Sequence, residues 1–313
     1  MKILISDKSS AICGEILEQG GHSVDVRTGL SPEELKSIIG DYHGLVVRSA
    51  TTVTADLLEA ANNLRVIGRA GTGVDNIDLE AARSRDILVM NTPGGNSNAV
   101  AEIVLAQMLG LTRSLYQACS SLKSERWEKK SFSGGEIMGK TVGILGYGRV
   151  SRLLAKKCMA LGMVVLCNDP KISKDILDSD GISIRGNLDD VLGQSDFLSV
   201  HLSKRDNTLN FLADAEFAKI KKGCFLLNYA RGGIVNESAL ISALDNNTLA
   251  GAALDVFSTE PPVDFTLIQH EKVIATPHIG AASKESQENV AAMVAEQFVE
   301  FFAGKQARNV VNK

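Results

Sequence analysis

The chain has little of what marks a nucleic-acid-binding, membrane or metal-dependent protein. Its 33 lysines and arginines are fewer than its 37 aspartates and glutamates, for a formal net charge of −4. No positive excess is therefore available to neutralise nucleic-acid phosphates. No apolar stretch is long enough to cross a bilayer without charged residues, and no His, Cys and Asp residues have the spacing of metal ligands. We expect no nucleic-acid, membrane or metal partner.

Cysteine and tryptophan are also scarce. The five cysteines are an odd number without a CxxC pair, which is typical of buried or incidental thiols in a reducing compartment. The opening MKILISD has the pattern of a strand and not of a signal peptide, so we expect a cytoplasmic protein. No GxSxG motif of a serine hydrolase is present. The single tryptophan, Trp127, lies in a charged stretch. Two interpretations stay open: it is an anchor for a partner subunit, or it is a packed loop side chain.

What the chain does contain is a regular alternation of short apolar runs and amphipathic segments. Alternation on this scale predicts an α/β fold in which helices cover both faces of a parallel sheet. The predicted strands are 2–6, 23–26, 44–48, 65–68, 87–90, 141–145, 163–167, 183–185, 196–201, 224–229, 251–256 and 272–275. The predicted helices are 11–19, 32–39, 54–61, 79–84, 99–112, 149–161, 188–192, 214–220, 236–245 and 284–302, with 120–139 irregular.

The most informative stretch is 141–170, which has the order strand, glycine turn, helix, strand and terminal acid. Gly146 permits a tight turn, Gly148 lets the backbone approach a pyrophosphate, and the N-terminus of the next helix offers N–H groups to that anion. Asp169 ends the second strand where a ribose would lie, and its charge would repel a 2′-phosphate, so NAD is favoured over NADP. Ser151 stands where the fingerprint has its third glycine. The second strand and its acid favour a nucleotide site over an ordinary glycine turn.

This dinucleotide-binding unit sets the expected domain organisation. A chain of 313 residues is long enough for two domains. We expect an α/β protein with two doubly wound parallel-sheet domains, in which a Rossmann NAD-binding domain (97–280) is inserted into a flavodoxin-like substrate or lid domain (1–96 and 281–313). The substrate is expected in the cleft between them.

Polar side chains follow successive predicted strands in the second half of the chain. Exchange of a hydride between an alcohol and NAD needs a proton acceptor, a cation for the substrate and a group that orients the acceptor. His278 suits the first task because imidazole titrates near neutral pH. Arg231 matches a carboxylate with its planar fork, and Glu260 can orient an imidazole. Asp255 is a candidate to face the nicotinamide end of the cofactor, and His201 is the one other histidine of interest.

Two arginines follow strands in the first half of the chain. Arg48 ends one strand, and Arg69 precedes a loop in which Gly71 and Gly73 can expose backbone N–H groups as an anion-binding nest. A single arginine is usually solvated or ion-paired. Two at successive strand ends favour a small anionic substrate.

Together these motifs resemble the D-isomer-specific 2-hydroxyacid dehydrogenases. The resemblance covers nearly the whole chain, as GxG…D, then NYARGG, ALDVFSTEPP and TPHIGAAS. It implies that the catalytic set is Arg231, Glu260 and His278. The implied cofactor contacts are Gly146, Gly148, Arg149, Val150, Asp169, Tyr229, Ala230, Arg231, Asp255, His278, Gly280 and Ala281, and NAD is the implied cofactor. The implied substrate contacts are Arg48, Ser49, Arg69, Gly73, Val74 and Asn96, with Lys129 as a further candidate for a phosphate.

The resemblance leaves the substrate and some properties open. The two first-half arginines favour a phosphorylated 2-hydroxy acid. The alternatives are an unphosphorylated acid, as in glyoxylate/hydroxypyruvate reductases and D-lactate dehydrogenases, and a dinucleotide-sensing binding protein on the same fold.

Tyr147, Ser151 and Tyr229 replace smaller family residues and are expected to affect cofactor affinity. The resemblance implies a homodimer or homotetramer with the Trp127 segment at a subunit contact. We expect no C-terminal regulatory domain and no inhibition by serine.

Overall fold

The computed structural model describes residues 1–171 and 184–313, and these divide into two compact units. Unit 1 comprises Met1–Ser97 and Ala281–Lys313, and unit 2 comprises Asn98–Gly280. The first boundary lies one residue later than the expected one, because Ser97 belongs to unit 1.

The described strands and helices alternate along the chain. The strands are β1 (Lys2–Ile5), β2 (Ser23–Val26), β3 (Gly44–Val47), β4 (Val66–Arg69), β5 (Leu88–Met90), β6 (Thr141–Leu145), β7 (Val164–Asn168), β8 (Ile184–Arg185), β9 (Phe197–Val200), β10 (Cys224–Asn228), β11 (Leu249–Leu254) and β12 (Val273–Ala275). The helices are α1 (Ile12–Gln19), α2 (Pro32–Ile38), α3 (Ala55–Ala60), α4 (Leu79–Ser84), α5 (Ser97–Thr112), α6 (Leu115–Lys123), α7 (Arg149–Ala160), α8 (Leu188–Gln194), α9 (Asp214–Phe217), α10 (Glu237–Asp245) and α11 (Lys284–Phe302).

Unit 1 is built on a five-stranded parallel sheet in the order β2-β1-β3-β4-β5. This is the flavodoxin-like order. The long helix α11 lies in this unit and packs so closely on the sheet that a Cβ at Gly68 would come within 2.6 Å of Phe298 Cε1. The predicted capping box of α2 is confirmed, since Ser31 Oγ accepts the Glu34 N–H at 3.2 Å and Glu34 Oε2 accepts the Ser31 N–H at 2.8 Å.

Unit 2 is built on a seven-stranded sheet in the order β12-β11-β10-β9-β6-β7-β8, with parallel pairing throughout the described strands. Counted from β6, the first six strands follow the Rossmann order 3-2-1-4-5-6. The prediction of two parallel-sheet α/β domains is thereby confirmed. Because the strands are parallel, the loops that follow β6, β7, β10, β11 and β12 emerge at one edge of the sheet, where ligands of such folds bind.

The structure differs from the predicted elements mainly after α5. Helix α6 was not predicted, and its last residues fall in the stretch expected to be irregular. Ser114, in the left-handed region at φ 46°, separates α5 from α6, and α6 leaves Leu115 and Leu122 exposed, so the usual buried apolar face is missing. The predicted strand residue Ser183 lies outside the described residues. Among the described helices, none has the length and apolar character needed to span a bilayer.

Candidate active site

The turn after β6 has the geometry of a dinucleotide-binding loop. Gly146 has φ 86°, and a Cβ there would lie 2.9 Å from the His201 carbonyl oxygen, so glycine is needed. A Cβ at Gly148 would meet no described atom within 4 Å, which leaves room for a ligand. No described side chain caps α7 at Gly148, so its first N–H groups face that space. The residues present fit the pyrophosphate of NAD.

Ser151 explains how the turn keeps its shape without the third glycine of the fingerprint. The side chain is fully buried, and its hydroxyl donates a hydrogen bond of 2.6 Å to the Gly146 carbonyl oxygen. The serine therefore fits the helix–strand contact and also satisfies a buried backbone acceptor of the turn.

Asp169 follows β7 at the position expected for a ribose-binding acid. Its carboxylate is half-buried and accepts N–H groups from Tyr147 at 2.8 Å and from Lys171 at 2.9 Å. The turn and the chain beyond the strand thus fix the carboxylate between them.

The two large residues next to the expected cofactor site point into the core of unit 2. Tyr147 and Tyr229 are only 2% and 7% exposed, within one cluster of buried apolar side chains. Burial also raises the pKa of the Tyr229 phenol. The burial of both rings in this cluster gives their size a packing explanation.

The clearest chemical feature of unit 2 is a histidine–glutamate pair. His278 Nδ1 lies 2.6 Å from Glu260 Oε2, and Glu260 Oε1 accepts the Phe257 N–H at 2.9 Å. The imidazole ring is therefore oriented by a carboxylate that the backbone itself holds. Half of the His278 side chain is exposed, and within the described ranges no residue hydrogen-bonds to Nε2. This nitrogen can exchange a proton with a bound molecule.

Asp255 holds the turn that carries His278. It is 2% exposed, and its carboxylate accepts the Thr276 hydroxyl at 2.6 Å, the Ile279 N–H at 2.8 Å and the Gly280 N–H at 2.6 Å. His278 has φ 52° within this turn. We expected Asp255 to face the nicotinamide, but the structure engages its carboxylate with three protein donors that stabilise the His278 turn.

Arg231 lies in a loop that interlocks with the loop of Glu260. The Asn228 side-chain amide donates to the Arg231 carbonyl at 3.3 Å, and Arg231 Nη1 donates to the Ala230 carbonyl at 2.7 Å. Gly232 lies against the next loop so closely that a Cβ would overlap the Phe257 carbonyl and lie 2.7 Å from Ser258 N. Backbone contact thus fixes the spacing of the loops that carry Arg231 and Glu260.

His201, the other histidine of interest, lies next to the glycine turn, with its backbone close to Gly146. Its Nε2 lies 2.8 Å from Ser199 Oγ, and burial lowers the pKa of the imidazole to about 4. The ring is therefore neutral at physiological pH, and it is the backbone carbonyl of His201 that abuts Gly146.

The residues expected to bind the substrate come together at one edge of the sheet in unit 1. Arg48 and Ser49 follow β3, the segment from Arg69 to Val74 ends and follows β4, and Asn96 follows β5. Asn96 Oδ1 accepts the Thr72 hydroxyl at 3.0 Å, which ties two of these loops together. A Cβ at Gly71 would lie 2.5 Å from Arg69 Cζ, so the guanidinium group lies across this glycine.

The expected site residues thus form two groups, one in each unit. Ala281 belongs to unit 1, whereas the other cofactor candidates belong to unit 2. Sequence reasoning missed three residues that hold these groups. Asp7 and Asn76 hydrogen-bond to the backbone of Arg48 and Thr51, and Thr276 donates its hydroxyl to Asp255. An acid directly after the first strand was a usable signal for Asp7, but nothing in the sequence indicated which loop it would hold.

A separate cavity of about 670 Å³ lies at the opposite edge of the unit 2 sheet. It is lined by residues at the starts of strands, such as Phe197, Phe225 and Lys272, and by the stretch 131–136. None of the expected cofactor or catalytic residues lines it.

The sheet order, the glycine turn, the acid after β7 and the imidazole–carboxylate pair define an α/β dinucleotide-binding protein with an acid–base group. Residues 105–280 match the model described as D-isomer specific 2-hydroxyacid dehydrogenase, NAD binding domain. The chain belongs to this family, and NAD is the cofactor of the matched domain.

Similar proteins narrow the comparison. D-3-phosphoglycerate dehydrogenase of Rattus norvegicus is 47% identical over 311 residues, which are 99% of this chain and 58% of that protein. The protein of the same name from Archaeoglobus fulgidus is 43% identical over 313 residues, which are 100% of this chain and 59% of that protein. This chain therefore spans less than two thirds of the length of these relatives. A crystal structure of NAD+-bound 3-phosphoglycerate dehydrogenase from Entamoeba histolytica has a TM-score of 0.84 at 28% identity, with coverage of 100% of this chain and 99% of that chain.

Proposed function

We propose that this chain catalyses the NAD-dependent oxidation of D-3-phosphoglycerate to 3-phosphohydroxypyruvate and the reverse reaction, the first step of serine biosynthesis, in the cytoplasm. The observation that carries the chemistry is the His278–Glu260 pair, with 2.6 Å between Nδ1 and Oε2, in the same unit as the NAD-binding turn. The choice of substrate rests on the similarity to D-3-phosphoglycerate dehydrogenases and on the two arginines at the strand ends of unit 1.

Each proposed catalytic residue has one task. NAD, when bound, supplies the group that accepts or donates the hydride. His278 Nε2 takes the hydroxyl proton of the substrate during oxidation and returns a proton to the carbonyl oxygen during reduction. Glu260 keeps the ring oriented through Nδ1 and stabilises its protonated form. Arg231 binds the substrate carboxylate and polarises the developing carbonyl.

The proposed substrate contacts in unit 1 serve the anionic end of the acid. Arg48 and Arg69 provide positive charge, and Gly73 and Val74 provide backbone N–H groups. A phosphate carries about two negative charges at neutral pH. Two guanidinium groups therefore match a phosphorylated acid better than an acid that has a neutral group in place of the phosphate.

The test is NADH oxidation by the purified protein with four oxo acids in parallel: 3-phosphohydroxypyruvate, hydroxypyruvate, glyoxylate and pyruvate. We expect the highest kcat/KM with the phosphorylated acid. A preference for an unphosphorylated acid would make the protein a hydroxypyruvate or glyoxylate reductase or a D-lactate dehydrogenase of the same family. NADH binding without appreciable turnover of any acid would instead indicate a dinucleotide sensor. Arg231→Ala should lose most turnover and still bind NADH.

We also propose that the protein forms a homodimer, or a homotetramer built from such dimers, through the surface of α6 and the loop after it. Trp127 is 80% exposed, and Leu115, Tyr116 and Leu122 are also exposed. Exposed aromatic and apolar side chains of this kind are typical of a subunit contact. Light scattering should give a smaller mass for Trp127→Ala than for wild type, whereas Val263→Ala, at an equally exposed apolar residue, should keep the wild-type mass. An unchanged mass for Trp127→Ala would remove this tryptophan from the contact.

A further inference from the structure

The loop that carries Arg48 and Ser49 is held by a buried acid that follows another strand. Asp7 follows β1 and is 5% exposed. Its Oδ2 accepts the Arg48 N–H at 2.5 Å and the Thr51 N–H at 3.2 Å, and its Oδ1 accepts the Thr51 hydroxyl at 2.6 Å. One carboxylate thus collects donors from both ends of the four-residue loop 48–51.

An amide holds the same loop through its carbonyl groups. Asn76 Nδ2 donates to the Arg48 carbonyl oxygen at 2.8 Å and to the Thr51 carbonyl oxygen at 2.6 Å. Asp7 only accepts and the Asn76 NH₂ group only donates, so together they satisfy the N–H and the C=O of both loop ends. The Lys8 carbonyl also accepts Arg48 Nη1 at 2.8 Å, which fixes the direction of the guanidinium group.

We propose that Asp7 and Asn76 are positioning residues that set Arg48 and Ser49 in the geometry needed to bind the anionic end of the substrate. This inference rests on the proposed function. Neither residue touches the substrate in this scheme. They hold the loop in its binding conformation before the acid arrives, so that less ordering is needed on binding.

A purely structural role makes a different prediction from a positioning role. Loss of structural hydrogen bonds lowers the melting temperature and leaves the kinetics of the folded fraction unchanged. Loss of positioning raises the KM for the acid, with much smaller changes in kcat and in the Kd for NADH, because the NAD-binding residues of unit 2 keep their contacts.

The experiment measures KM and kcat with 3-phosphohydroxypyruvate, the Kd for NADH and the melting temperature. Asp7→Ala and Asn76→Ala should each raise the KM about tenfold to a hundredfold, the range in which misplaced binding groups act. The matched control is Asn312→Ala, since Asn312 is 3% exposed and makes two hydrogen bonds to the backbone around β5, away from this loop. It should lower the melting temperature without raising the KM.

A conservative variant separates geometry from charge. Asp7→Asn keeps a carbonyl oxygen for the two N–H groups, and its amide can donate to Thr51 Oγ1, so its KM should stay close to wild type. A wild-type KM in both Asp7→Ala and Asn76→Ala would overturn the proposal, as would an equal KM rise in Asn312→Ala. If Asp7→Ala does not fold, Asn76→Ala against Asn312→Ala decides the question.

The outcome stays distinct from that of the proposed function. If the wild type prefers an unphosphorylated oxo acid, the proposed substrate is wrong. The same KM comparison, run with the preferred acid, then still tests whether Asp7 and Asn76 position Arg48.

Discussion

Substitution of Gly232 by alanine should separate the two loops that carry Arg231 and Glu260. A Cβ at Gly232 would overlap the Phe257 carbonyl and lie 2.7 Å from Ser258 N, whereas real Cβ atoms essentially never approach another heavy atom closer than 3.0 Å. Both obstacles are backbone atoms and cannot rotate away. We therefore expect the loops to move apart by on the order of 1 Å.

A displacement of this size is enough to impair the proposed chemistry. A misplacement of about 1 Å can lower a rate about a hundredfold, so kcat/KM with the preferred oxo acid should fall by about that factor in Gly232→Ala. The melting temperature, followed by circular dichroism, shows whether the variant is folded when it is assayed.

A second glycine of unit 2 provides the control. A Cβ at Gly193, in helix α8, would meet only the Lys219 carbonyl oxygen at 3.8 Å, an ordinary contact. Gly193→Ala should keep wild-type kinetics and gain roughly 0.5–1 kcal/mol of stability from helix propensity. A folded Gly232→Ala with kcat/KM close to that of Gly193→Ala would refute the view that backbone contact between the loops sets the site.

Three further perturbations follow from the same contacts. Glu260→Gln replaces a charge-assisted hydrogen bond to His278 by a neutral one, a loss of about 1–2 kcal/mol, so kcat should fall roughly tenfold while the Kd for NADH stays constant; unchanged kcat would leave the carboxylate without a role in turnover. Asp255→Ala removes three hydrogen bonds from the His278 turn and should lower both kcat and the melting temperature, whereas a loss of stability alone would limit Asp255 to packing. Burial lowers the pKa of His201 from 6.5 to about 4, so the unfolded chain binds more protons than the folded chain between these values. The contribution of His201 to the free energy of unfolding is therefore fully present above pH 6.5 and falls by up to about 3 kcal/mol towards pH 4. Urea unfolding of wild type and His201→Gln at pH 7.5 and 5 should show a smaller loss of stability in the variant, and equal losses would assign the acid sensitivity to other groups.

The geometry that the sequence predicted well is the geometry that depends on local pattern. The βαβ unit around Gly146 and Asp169 has its own signature, because a turn, a helix N-terminus and a strand end follow one another within 30 residues. The pairing of His278 with Glu260 was also inferred. The two residues are 18 positions apart, and the carboxyl ends of the parallel strands β11 and β12 bring their loops to the same edge of the sheet.

Residues that act through distant partners were not predictable in this way. Asp7 and Thr51 are 44 positions apart, and neither residue type is unusual at a strand end. The need for glycine at position 232 arises from the backbone of another loop, and it appears only in three dimensions. Helix α6 was missed although Leu115, Ala118, Cys119 and Leu122 recur at helical spacing. Its last residues were assigned to the polar stretch 120–139, so the short pattern was divided between two segments.

The most decisive measurement compares wild type and His278→Gln for NADH-dependent reduction of 3-phosphohydroxypyruvate, with the Kd for NADH determined on the same samples. Glutamine can form hydrogen bonds but cannot exchange a proton. If His278 Nε2 transfers the proton, kcat should fall by about a hundredfold to ten-thousandfold, with the Kd for NADH little changed. A His278→Gln variant with wild-type kcat would contradict the proposed mechanism.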